Sequence, residues 1–117
     1  MRKTAIASVL TLALVPVAAQ AHHGWGSYEA ASGPVTIEAA VESVVWENPH
    51  GMLTLPHDGE TWHVTLAPPS RMQMRGLSPE MLQPGTVVSV QGYPSRNSPH
   101  EMRAERLIID GETYELR

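Results

Sequence analysis

From Val35 to Trp46 the chain alternates, with Val35, Ile37, Ala39, Val41, Ser43 and Val45 on one side and Thr36, Glu38, Ala40, Glu42 and Val44 on the other. A period of two sustained this long predicts one extended, half-buried strand. Asn48-Pro49-His50-Gly51 interrupts it with turn residues: proline fixes φ, asparagine tolerates unusual φ, and glycine permits the exit. Met52 to Leu55 then reads as a short strand, and Asp58-Gly59 is a strong hairpin signal leading into Thr61 to Leu66. There Trp62, Val64 and Leu66 share one face, and Thr61, His63 and Thr65 the other. Ala67 to Gly85 breaks the alternation. Pro68-Pro69 opens it, Ser78-Pro79-Glu80 has the form of a helix start, and Pro84-Gly85 closes it, so one or two short helical turns are predicted. Thr86 to Tyr93 and Arg103 to Ile109 are apolar and β-branched, and Asp110-Gly111 turns the chain into a last strand, Glu112 to Leu116. Three strands, a short helical connection, two strands and a closing hairpin predict an all-β domain, a small OB-like barrel of five to six strands. A small β-sandwich is the rival architecture.

The first 21 residues do not belong to that pattern. Arg2 and Lys3 precede an uncharged apolar run from Ala5 to Val15, Pro16 breaks it, and Ala19-Gln20-Ala21 offers small residues to a peptidase. These are the parts of an export signal cleaved after Ala21. The run is shorter than the roughly 18 to 20 residues that span a bilayer, so a cleaved leader is expected rather than an anchor. The division is then a leader at 1–21, an irregular Gly-, Ser- and His-rich arm at 22–33, and the barrel at 34–117. The expected destination is the periplasm or the exterior, with no membrane attachment after cleavage. With no cysteine in the 117 residues, disulfides and lipid attachment at a signal cysteine are both excluded.

Charge narrows the function classes. Of the eight basic residues, Arg2 and Lys3 fall in the leader, leaving six arginines, no lysine and twelve carboxylates, a formal charge of −6. A nucleic-acid binder needs a basic stripe to displace counterions from phosphates, and an anionic membrane surface selects a similar patch. Neither partner is expected.

Candidate chemistry rests on the histidines. Cleavage after Ala21 makes His22 the new N-terminus, where a free amine and the imidazole Nδ1 can close a chelate on one ion. An α-amine loses its proton near pH 7.7 to 8, far more readily than lysine does. Nitrogen ligands suit Cu(II), at the top of the divalent affinity series, and zinc follows. His23 adds a second imidazole. His50 sits in a turn at a strand end, where loops display functional side chains. His63 points to the polar face of its strand. The metal candidates are therefore His22 and His50, with His23 and His63 supplementary. The bland alternatives are hydrophilic residues beside a cleavage site, a turn histidine and a surface histidine. His57 and His100 read as solvated. Met72 and Met74, two apart in a region expected to be helical, do not share a face and are read as core filling, as are Met52 and Met102. Trp25 and Tyr28 give the arm an apolar handle for folding back onto the barrel, which would carry the amine toward a rim where His50 is the expected partner.

Together these residues resemble a known family, the small exported bacterial proteins called domain of unknown function 6152. The resemblance rests on His22-His23-Gly24-Trp25 with Tyr28, on Val45-Trp46-Glu47-Asn48-Pro49-His50, on Trp62, and on the run from Leu82 to Pro94 that ends in Gly92-Tyr93-Pro94. In that family an Arg-Asp-Gly run often follows, whereas Arg96-Asn97-Ser98 stands here. The resemblance implies a secreted β-rich domain and brings no established activity. The leading expectation is an exported metal-binding protein, copper ahead of zinc. The alternative is a β-barrel module that recognises an envelope protein or small ligand without metal. Catalysis is not expected: there is no cysteine nucleophile or serine elbow, and Glu29, Glu42 and Glu47 are not paired at any readable spacing.

Overall fold

The structure, a computed structural model, describes residues 24–29 and 33–117. The expected leader, His22 and His23 lie outside the described residues. The elements are β1 (Val35–Ala40), β2 (Ser43–Val45), β3 (Met52–His57), β4 (Glu60–Thr65), α1 (Pro69–Met74), a 3-10 turn at Pro79–Leu82, β5 (Val87–Pro94), β6 (Glu101–Ile109) and β7 (Glu112–Glu115). A second 3-10 turn, Trp25–Ser27, forms the arm.

All seven strands belong to one sheet with the order β1-β5-β6-β4-β3-β2, and β7 pairs with β6 off that path. Every ladder is antiparallel except β4 with β6. The all-β class and the helical connection are as expected. The path's two ends, β1 and β2, are consecutive in the chain, and β1 also lies against β3. The sheet therefore curls like a barrel, but it remains open in its hydrogen bonding, its ends joined by the covalent chain rather than by a ladder.

The single long strand expected over 35–46 is two strands. Val41 donates to the Thr86 carbonyl beside β5 and Glu42 donates to Thr54 on β3, so adjacent amides hand the chain from one neighbour to the other. The inward phase slips there. Ile37 and Val41 are buried, whereas Ser43 and Val45 face outward and Val44 and Trp46 pack toward the core. Hydrophobicity alternates on both sides of the bend, so a pattern of residue types does not reveal a change of phase.

Both expected hairpins close on residues with positive φ, Asp58 (50°) with Gly59 (74°) and Asp110 (49°) with Gly111 (79°), the backbone that matches the twist of a two-residue turn. Leu53 and Leu55, Val64 and Leu66, Val88 and Val90, and Met102 and Leu107 fill the interior. Met72, Leu77 and Leu82 from the helical segment join the same core. Met72 fills the core as expected, but Met74, also read as core filling, is 85% exposed, because residues two apart on a helix do not share a face. Met52 was expected inside and is instead 38% exposed, because Leu53 and Leu55 take the inward positions of β3 and alternation turns Met52 out.

Candidate functional site

The arm docks. Tyr28 bridges Ser95 in antiparallel fashion, the Glu29 amide donates to Pro94 (2.9 Å), and the Arg96 amide donates to Ser27 (3.0 Å). The Arg96 guanidinium adds a bond from Nε to the Tyr28 carbonyl at 3.0 Å. These bonds lay the arm along the end of β5. Its side-chain anchor is Trp25, which meets the Tyr93 ring edge-on at 5.9 Å and the Tyr28 ring at 6.4 Å. Two guanidiniums cover the indole, Arg103 at 4.5 Å and Arg117 at 4.7 Å from its centroid. A cation over an aromatic face contributes about 0.5 to 2 kcal/mol, more as water is excluded. Arg103 is the one charged residue among the described residues that is buried, at 8% exposure. Burial pulls its pKa below the usual arginine value, Tyr28 opposes that shift, and Arg71 and Arg117 add to it.

Tyr93 links this anchor to Glu105, donating its hydroxyl to Oε2 at 3.0 Å. That hydrogen bond raises the Tyr93 pKa, burial and the Glu105 charge raise it further, and Arg117 and Arg106 act against them. A raised value favours the protonated phenol in the folded chain. The stabilisation is present below the ordinary tyrosine pKa near 10 and is lost as pH climbs through the folded value. In a spectrophotometric titration of tyrosinate, one tyrosine is expected to ionise after the others, and Glu105→Gln should bring it back among them. Coincident ionisation in the parent protein would refute the assignment.

His50 is half-buried, follows the cis Asn48–Pro49 bond and precedes Gly51. Gly51 donates to Ala67 and accepts from Leu66, and a Cβ there would meet the Met72 methyl at 2.6 Å. Close packing of backbone against α1 thus fixes the point from which His50 projects. His63 lies exposed on the outer face of β4, paired in register with Thr54 on β3 and Glu101 on β6. Since Thr54 is four residues from His50 on the same chain, the two histidines are separated by roughly 13 Å along β3. They do not form one ligand set. Thr65, two residues after His63, pairs with both Met52 and Arg103, and Trp25 rests against Arg103.

Pairing of β3, β4 and β6 builds a different grouping, from two histidines that read as solvated in the sequence. His57 and His100 flank Trp62, with ring centroids 5.8 and 5.7 Å from it. His57 Nε2 lies 3.3 Å from Asp58, and His100 Nδ1 lies 3.9 Å from Glu60. The Asp58-Gly59 turn, once accepted, places His57 opposite Glu60 and so near Trp62. Nothing local in the sequence brings His100 there, since it arrives through the parallel β4–β6 pairing. Among the described residues no three His, Asp or Glu side chains are grouped to hold a metal ion.

A family model of unknown function matches residues 9–103. The chain belongs to the DUF6152 family. The match takes in the arm, the Asn-Pro-His turn and the run into Gly92-Tyr93-Pro94, and it ends at Arg103, so Arg117 and β7 of this DUF6152 chain lie past it. No curated protein matches the chain.

Proposed function

We propose that this DUF6152 chain is exported, cleaved after Ala21, and binds a metal ion, copper in preference to zinc, through the amine and imidazole of His22. His50 serves as a further ligand, with His23 supplementary; His63, too far along β3 from His50 to share an ion with it, is left out. The observation that supports this reading is the docking of Trp25. Docking of Trp25 fixes the point from which the chain before it extends, and His22, three residues earlier, reaches at most roughly 11 Å from that point, since each residue spans at most roughly 3.6 Å. A tethered chelate binds more tightly than a free one because less chain entropy is lost on binding. Among the described residues no helix is long and apolar enough to cross a membrane.

The test titrates Cu(II) into protein exported and cleaved in cells, its N-terminus confirmed by mass, beside a version carrying one extra alanine before His22. One-to-one binding by the first and a loss of tenfold or more in the second, about 1.4 kcal/mol, are expected. Equal, weak binding by both overturns the reading.

A further inference from the structure

The arginines are not spread over the molecule. Arg71 of α1 and Arg75, the helical residue that caps its C-terminal end, stand four apart, hence on one face, and both are exposed. Arg71 donates to the main-chain oxygen of Leu116 at 3.4 Å and Arg75 to that of Arg117 at 3.3 Å. Through these bonds α1 meets the strand end that sends the Arg117 side chain across Trp25, with Arg103 over the same ring. Arg71 and Arg117 both lie near enough to Arg103 to disfavour its charge. Four of the six arginines after residue 21 thus gather on one side of a chain whose net charge is negative. The carboxylates against this group are Glu105, which lies 3.5 Å from Arg117 and is shared with Arg106 at 3.8 Å, and the α-carboxylate of Arg117, which accepts from Arg75.

A pocket of about 400 Å³ opens beside the cluster, lined by Pro68, Ser70, Arg71, Met74 and Arg75. No acidic side chain lines it. A guanidinium carries five donors in a planar fork that matches phosphate and carboxylate oxygens, and each of the two bonds from α1 to main-chain oxygens uses one. Ser70 supplies a hydroxyl, while Met74 and Pro68 form an apolar wall.

We propose that this pocket is a binding site for a small multivalent oxyanion, a phosphate or a polycarboxylate, held by Arg71 and Arg75 with Arg117 and Arg103 behind them. The anion relieves repulsion among cations that the fold has brought together. Arg117 connects it to the arm, so an occupied pocket also steadies the guanidinium that covers Trp25. The site does not depend on the metal reading.

The test follows backbone amides of the metal-free, cleaved protein by heteronuclear NMR during separate additions of sodium phosphate and sodium citrate, with sodium chloride at matched ionic strength as control. Saturable shifts are expected at Ser70, Arg71, Met74 and Arg75 with at least one of the two oxyanions, and the one that saturates at lower concentration identifies the class. The double variant Arg71→Gln/Arg75→Gln should keep the dispersed spectrum of the folded protein and bind at least tenfold more weakly. Arg106→Gln, which removes one positive charge from the pair with Glu115 on a different part of the sheet, should bind as the parent does. Non-saturating shifts equal to those in chloride, or unchanged affinity in the double variant, would overturn the proposal.

Discussion

Gly92→Ala is expected to lower the stability of the fold more than any other single change considered. A Cβ at this position would stand 2.0 Å from the Arg103 carbonyl oxygen, 2.8 Å from its carbon and 2.9 Å from the Ala104 Cα. All three are backbone atoms of β6, so no rotamer change makes room. The register of β5 on β6 shifts between Gln91 and Gly92, which brings the two backbones close at this step. Glycine is needed for that close approach and not for a left-handed φ. Opening the contact would separate β5 from β6 at the centre of the sheet and disturb Arg103 and Tyr93, on which the arm rests. Overpacking costs about 1 to 3 kcal/mol where side chains yield, and the upper end or beyond is expected where backbone must move. For a domain of this size about 3 kcal/mol lowers Tm by roughly 12 to 24 °C. Thermal unfolding followed by circular dichroism checks it, and a Tm within about 4 °C of the parent would refute the steric account.

Trp25→Ala is expected to release the arm while the sheet stays folded. The substitution removes the surface on which Arg103 and Arg117 stack and the edge contact with Tyr93. It also leaves Arg103 buried beside two other cations with its aromatic cover gone. Removing a large buried aromatic costs about 3 to 5 kcal/mol, and a half-buried one is expected to cost about 2 to 3. The loss should be local. Hydrogen exchange at the Glu29 and Arg96 amides, which bond across the arm, should accelerate by tenfold or more, while Val64 and Leu107 in the core exchange as before. Trp25→Phe keeps a face for the guanidiniums and should retain most of the protection. Under the metal reading, Trp25→Ala also weakens Cu(II) binding without touching a ligand, because the chelate loses its tether. Unchanged exchange at Glu29 and Arg96 would show that the backbone bonds alone hold the arm.

Local chemistry determined much of this protein. Strict alternation in Thr61 to Leu66 placed Trp62, Val64 and Leu66 inward and His63 outward, because a strand's pleat leaves no other assignment. Asp58-Gly59 and Asp110-Gly111 fixed two hairpins, because those residue types accept positive φ at low cost. Trp25 and Tyr28 in an otherwise hydrophilic arm announced that the arm has something to bury. What tertiary structure decided was where partners meet. The bend at Val41-Glu42 reversed the facing of Ser43 to Trp46, since a change of pairing partner is a long-range event with no mark in the residues that undergo it. The parallel pairing of β4 with β6 carried His100 to Trp62, and it put Arg103 where the arm could cover it. Arg103 and Arg117 are far in sequence from Arg71 and Arg75, and no basic run joins them, so net charge alone read as purely acidic. Periodicity and turn preference act over a few residues and can be read along the chain. Charge clustering, close approach of backbones and ligand proximity depend on which strands pair, and only the folded sheet settles that.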